Sequence, residues 1–484
     1  MTAEKRSAVD PGAIDGDIVR GLPAGTLAPL RYRPLPAAAS FRKIVGPSVV
    51  LLALAIGSGE YVIWPFIGTQ LGTGVLWLAA VALISQYFVV MEIERYTLAT
   101  GETAITGFTR LWRGFGPIFL VLILLPYIWP GWAAGAATMF GYLIGGGDQQ
   151  LLTLAVLIVG AAALTLSPVV YRMVERMQFV LMGAVVVFLA IAVVFATEAE
   201  AWAGVIQPTM PDTSGAVTMA VLVGAIAFAG PGAGNLAQSH WIRDKGMAMG
   251  HYIPRVVSPI TGQEVSAPTT GYLFPQDEAN LSRWRRWWRL ANLEQLSTNI
   301  LIGFLSIVVF TVLAVSTLGI GGDYAGDLSF ISEEADALTS ILGSGFGTFF
   351  LIAGCAALFS TSITQVDFVG RLVSDVTKIN LLIKSNFWSE SKLYFAAVWI
   401  FTVVCVGIVL AGLRQPLVLL IISSVFQAIV LASSSIMLAV LNRRALPDAI
   451  KIRGIRLWAV IWAGLFFGVS SGYVAVNQIA NLLG

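Results

Sequence analysis

The quartet Gly57-Ser58-Gly59-Glu60 sets a carboxylate in the middle of an apolar run. An acid in hydrocarbon is costly and rarely kept without a task, so Glu60 is expected to ligand a cation or to switch by taking up a proton. Its flanks, Val45–Ile56 and Tyr61–Leu71, are each too short to cross a bilayer, which takes about 20 helical residues. Joined through the glycines they make one span. Glycine loses the most backbone freedom in a helix, so the pair favours unwinding there. Unwound backbone at membrane depth needs protein or water around it, and this is where a solute is expected to bind. A structural use of Glu60, capping the half-helix that follows, can coexist with that role.

A second interruption lies downstream. The run Val223–Asn235 is apolar until Gly230-Pro231-Gly232-Ala233-Gly234-Asn235. Laid over one another, the two quartets match Gly57 with Gly232 and Glu60 with Asn235. Two glycine-broken spans at corresponding places are the sequence signature of an inverted-repeat transporter and of its binding site. The expected site is therefore Gly57, Ser58, Gly59, Glu60, Gly232, Ala233, Gly234 and Asn235. Gln427, an intramembrane amide, is added as a neighbour. It can equally serve hydrogen bonding between helices, and Asn235 can equally cap the half-helix that follows it. As metal ligands the candidates are Glu60, Asn235 and Gln427. Ser360, Thr361, Ser362, Thr364 and Gln365 offer oxygens for a small-cation site between the first and eighth spans, although small polar residues also serve ordinary helix packing.

These residues need a membrane scaffold, and composition supplies one. Of the 484 residues 57% are hydrophobic and only 12% charged, with mean hydropathy +0.81, against about 25% charged in soluble domains. Hydropathy predicts eleven spans, at 44–70, 73–92, 117–144, 150–167, 178–197, 216–240, 293–319, 346–367, 393–413, 417–441 and 457–480. With the N-terminus inside, 28 of the 29 Lys and Arg fall on the cytoplasmic side and only Arg414 outside, as the positive-inside rule asks. The C-terminus is then outside, and the outer loops are acidic, most of all over 323–336. The expected divisions are a polar tail at 1–43, a first five-helix set at 44–200, a second at 201–441 with loop 241–292, and a closing loop and helix at 442–484. The tail holds no apolar core of a leader peptide and is expected to be flexible. Ser282–Leu290 interleaves four arginines with three tryptophans, which predicts an interfacial segment on acidic lipid rather than a nucleic-acid site. Asp367 is expected to pair with Arg371 at the membrane edge. Cys355 and Cys405, both inside spans, give no disulfide framework.

With these pieces in order, the chain resembles the NRAMP family of divalent-metal transporters. Gly46-Pro47 opens the first span as in that family, and Gly57-Ser58-Gly59-Glu60 stands where its members carry Asp-Pro-Gly-Asn. Leu98-Ala-Thr-Gly-Glu-Thr-Ala104 is similar to the family's Val-Thr-Gly-x-Asp-Leu-Ala. Ala356–Gln365 is similar to its Gly-Gln-Ser-Ser-Thr-x-Thr, and Phe426-Gln427-Ala-Ile-Val-Leu to its Ser-Gln-Val-Val-Leu. The resemblance implies an all-α polytopic membrane protein of the LeuT type. That is a 5+5 inverted repeat with 11 transmembrane helices, helices 1 and 6 broken. The departures fall on the chemistry. Gly57 replaces the family's metal-binding Asp, Glu60 its Asn, and Gly-Pro-Gly-Ala-Gly its Met-Pro-His. Without the soft thioether, harder cations gain ground. The third and ninth spans also lack the ionisable groups of the family's proton relay.

The function expected is secondary-active transport by alternating access, with a divalent cation, magnesium or manganese, as substrate. The alternatives are transport of a different small solute, sodium-coupled or uncoupled, and a non-transporting NRAMP-like sensor. No cofactor and no enzyme activity are expected, since no nucleophile–base pair is present. Membrane lipid and a small ion or solute are the expected partners, in a bacterial inner membrane. The sequence gives no oligomeric state.

Overall fold

The computed structural model describes residues 15–167, 169–257, 270–324, 327–385 and 387–483. Eleven helices among them are long and apolar enough to cross a membrane. They run Pro47–Leu71, Thr73–Thr100, Phe115–Ile144, Gln149–Leu166, Val170–Phe195, Met219–Lys245, Glu278–Leu318, Ser344–Asn380, Glu390–Leu410, Pro416–Arg444 and Ile455–Asn477. These are referred to below as the first to eleventh spans. The count matches the hydropathy reading. Several ends extend well past it, because a helix continues beyond its apolar part. The seventh is the clearest case, since the Trp–Arg segment is simply its first turns.

Most of the first span is buried, with the fifth, sixth, seventh and eighth packed about it. The fourth, fifth, ninth and eleventh spans form the flanks. They turn residues such as Val180, Ile400 and Val469 outward, 66–76% exposed. That is the surface expected of a protein facing lipid.

Three irregular stretches bend this bundle. The first span does not unwind at its glycines. Its α-helix, Pro47–Ala55, widens into a π-helix over Ile56–Ile63 and narrows again to an α-helix over Trp64–Leu71. The glycines are accommodated within a continuous helix, so backbone groups stay bonded where lipid offers no partner. A second π stretch, Leu296–Ile300, lies in the seventh span. In the sixth span α-helical pairing stops at Ala227 and resumes at Gln238, with a 3₁₀ segment over Gly232–Ala237 between. Gly232 sits at φ +62°, where a side chain would be strained.

The basic end of the bundle differs from expectation. Asp15–Ala39 is not a loose tail. Arg31–Tyr32 pairs in parallel with Tyr272–Leu273, and Leu27, Leu30, Tyr32 and Leu35 are buried. The seventh span's first turns hold it there. Asn280 accepts from the Leu35 N–H, Arg283 donates to the Leu35 carbonyl, and the Trp287 indole donates to that of Pro36, at 2.8–2.9 Å. Trp284 and Trp287 are therefore buried against protein instead of lying at headgroup depth. Residues 1–14 of the expected tail lie outside the described residues.

Candidate functional site

The two glycines of the first span serve as contact points. A Cβ on Gly59 would collide with the Phe228 carbonyl, where the sixth span's helix lapses. One on Gly57 would strike the Thr361 side chain and approach the Ala357 carbonyl to 2.7 Å. The middle of the first span is thus pressed between the sixth and eighth spans with no room for side chains. The Thr361 hydroxyl donates to the Ala53 carbonyl at 3.0 Å, tying the eighth span to the first.

Glu60 is fully buried. Its carboxylate accepts from the Ser306 hydroxyl on the seventh span. The other oxygen, Oε1, has no partner and lies over Gly303, 3.4 Å from where a Cβ would be. The acid therefore faces the seventh span and not residues 232–235, as the alignment of the quartets implied. The π turns are the reason. Each takes in one residue more than an α turn, and side chains beyond it are rotated from α-helical phase. One turn before Gly303 stands Asn299, 1% exposed, with neither amide atom bonded. Glu60 Oε1 and both amide atoms of Asn299 are thus buried with open valences.

The sixth-span turn is held from two other sides. Gln86 of the second span accepts from the Gly232 N–H at 3.1 Å and from the Asn235 amide at 3.0 Å, and donates to the Ala227 carbonyl at 3.0 Å. Gln427 accepts from the Ala233 N–H at 2.9 Å. Both glutamines do for this turn what the next helical turn would otherwise do. Asn235 Oδ1 is left unpaired. Of the three metal-ligand candidates, Asn235 and Gln427 meet at the turn while Glu60 points elsewhere. Among the described residues no group of three or more His, Cys, Asp or Glu could hold a metal ion.

Near the same turn stands a set of aromatic donors. The Tyr127 hydroxyl lies 3.0 Å from a Cβ built on Gly234. Tyr127 stacks on Trp132 at 5.9 Å, and Trp132 meets Phe228 at 5.7 Å. Among the described residues the Tyr127 O–H and the Trp132 indole N–H are buried without acceptors.

The eighth-span oxygens do not converge on one space. Ser360 donates to Gln178 Oε1 at 2.6 Å, and Gln178 donates on to Thr364 at 2.8 Å. Thr361 faces the first span, and the Gln365 amide bonds the Tyr127 carbonyl. Each of these four side chains has a structural partner. For Ser58 only its place in the π-helix is described. Asp367 pairs with Arg371 at 2.9 Å, but fully buried, with Tyr394, Trp241 and Asp244 completing the network. Gln86, Asn299 and Ser306 were not anticipated as site residues. Each was visible in the sequence as a polar residue inside an apolar run.

No protein-family model matches the chain, and no curated protein sequence does. Solved structures do. A mutant of the Eremococcus coleocola manganese transporter superposes with TM-score 0.63 at 15% identity, covering 97% of this chain and 92% of that one. The same transporter in complex with an aromatic bis-isothiourea substituted compound gives 0.58 at 16% identity, over 93% and 90%. Mhp1, a nucleobase-cation-symport-1 family transporter closed around bromovinylhydantoin, gives 0.52 at 12%, over 92% and 96%. At such identities the likeness is one of fold. The chain has an all-helical, LeuT-type membrane fold with eleven spans.

Proposed function

We propose that this protein is a secondary-active transporter working by alternating access, and that its cargo is a cation. One observation carries the reading. Glu60 is a fully buried carboxylate in the π-helical centre of the first span, and among the described residues one of its oxygens is unpaired and no basic side chain bonds it. A π stretch in a helix is often kept for function, and an uncompensated acid at that depth asks for a positive partner. Magnesium or manganese is the first choice. The unpaired oxygens of Glu60 and Asn299 are hard ligands, of the kind that magnesium and manganese take. The likeness in fold to a manganese transporter is consistent with this cargo. The test is isothermal calorimetry of the purified protein with manganese, magnesium and calcium. Heat is expected from the first two and none after Glu60→Gln; equal heat in the variant would remove Glu60 from the site. Uptake into proteoliposomes then separates a transporter from a sensor.

A second reading has its own support. The unpaired donors of Tyr127 and Trp132 would suit a flat organic solute carrying carbonyl oxygens. Quenching of tryptophan fluorescence by such solutes, with no response to metal, would favour it.

A further inference from the structure

A second acidic centre lies away from Glu60, among the second, sixth and seventh spans and the start of the first. Glu94 and Glu294 are both fully buried, and among the described residues neither forms an ion pair. Glu94 Oε1 accepts from the side-chain amides of Gln238, at 2.8 Å, and Gln295, at 2.7 Å. Glu294 Oε1 accepts from the Gly46 N–H at 3.1 Å and from the Ser48 hydroxyl at 2.8 Å. Gln295 follows Glu294 in the chain, and the two carboxylates are near enough to interact electrostatically.

What is missing there is specific. Glu94 Oε2, Glu294 Oε2, Gln238 Oε1 and Gln295 Oε1 are all buried and unpartnered. Every one of them is an acceptor. Each glutamine oxygen belongs to the amide group that touches Glu94, so it lies beside that carboxylate. Among the described residues the four oxygens have no donor and neither acid has a bonded cation, and a proton supplies both. Two neighbouring carboxylates out of water cannot both ionise cheaply.

The basic groups nearby are committed elsewhere. Lys245 on the sixth span bonds Glu175 and the Val45 carbonyl, and Glu175 also accepts from Tyr171. Arg243 is held by Glu390, and Asp244 by Arg371. The His240 ring, without a bonding partner, packs beside Phe368. On the second span Glu92 pairs with Arg95, and from the eleventh Arg456 bonds Asn292.

We propose that Glu94 and Glu294 form a proton-binding site that takes up and releases one proton between them. Gln238 opens the helix that follows the sixth span's 3₁₀ segment, and Gly46 and Ser48 open the first span. The pair therefore ties together the starts of two helices that meet at the candidate site. Its use in coupling rests on the transporter reading above, but the proton itself does not.

The experiment is infrared difference spectroscopy on the full-length protein in nanodiscs, titrated through neutral pH without substrate, together with a proton count by titration. Wild type is expected to show a protonated-carboxyl band that Glu94→Gln removes, with one proton fewer taken up per chain. Glu294→Gln is expected to move the band's titration to lower pH, because the neighbouring negative charge is gone. Glutamine at 94 still accepts from both amides and adds donors for the orphan oxygens, so this variant should melt no lower than wild type. Spectra of wild type and Glu94→Gln that superimpose would overturn the proposal. So would a band that disappears when sodium replaces potassium at fixed pH, since the occupant would then be a metal ion. Neither result depends on finding the cargo.

Discussion

Gln86 carries more of the sixth-span turn than any other side chain, and its removal has a calculable cost. Gln86→Leu keeps the bulk but strands the Gly232 N–H, the Ala227 carbonyl and the Asn235 amide. Each buried group left unpaired costs about 1–3 kcal/mol. Thermal melting in detergent should drop clearly, and less for Gln86→Glu, which keeps both acceptor bonds. Wild-type melting in the leucine variant would mean that the turn is held by something else. Gly59→Ala tests the opposite face. Its methyl group would meet the Phe228 carbonyl, and overpacking of this kind costs about 1–3 kcal/mol. The first and sixth spans should separate, and thermal melting should drop below that of wild type. At this scale the sequence showed which residues matter better than where they point. Glu60 was legible because an acid in an apolar run is conspicuous. Its direction was not, because a π turn rotates everything beyond it and no residue pattern announces one.

At the scale of elements, the eleven spans could be read from hydropathy because lipid demands long apolar runs. The seventh helix shows the limit. Its Trp–Arg stretch has one apolar face, and that pattern is the same whether lipid or protein covers it. Protein covers it. Asp15–Ala39 runs across Trp284 and Trp287, while Arg95 stacks on Trp288 at 4.1 Å and Arg456 at 5.0 Å. Removing a buried tryptophan costs about 3–5 kcal/mol. Trp287→Ala also breaks the bond to the Pro36 carbonyl. The expected outcome is release of the N-terminal segment with the spans intact. Limited proteolysis should then cut between 20 and 36 in the variant and not in wild type, and hydrogen exchange should rise in the paired strands Arg31–Tyr32 and Tyr272–Leu273. Unchanged cleavage would show that the strand pairing alone suffices.

Across the whole molecule, three distant parts of the chain meet at one ion pair outside the spans. Glu102, just after the second span, accepts from Arg110 at 2.6 and 2.7 Å, from the Tyr96 hydroxyl at 2.7 Å and from the Gly271 N–H at 2.9 Å. Arg110 also donates to the Ala28 carbonyl at 3.1 Å. The N-terminal segment, the turn between the second and third spans and the stretch before the seventh are joined there. Burial pushes the Glu102 carboxyl up, but the Arg110 guanidinium and the donated hydrogen bonds outweigh it and hold it below the ordinary range. A carboxyl lowered in the folded state stabilises fully above its unfolded pKa of about 4.3, and that contribution is lost as pH falls through the folded value. The basic end of the bundle should therefore loosen below about pH 4, ahead of the spans, which bury their apolar surface regardless of pH. Glu102→Gln leaves Arg110 buried without its countercharge, a loss of about 3–5 kcal/mol. It should weaken this end already at neutral pH and flatten the acid limb. Hydrogen exchange over 24–33 and 270–275, followed from pH 7 to 3, reads both effects. An acid limb as steep in the variant as in wild type would assign the loosening to other carboxylates.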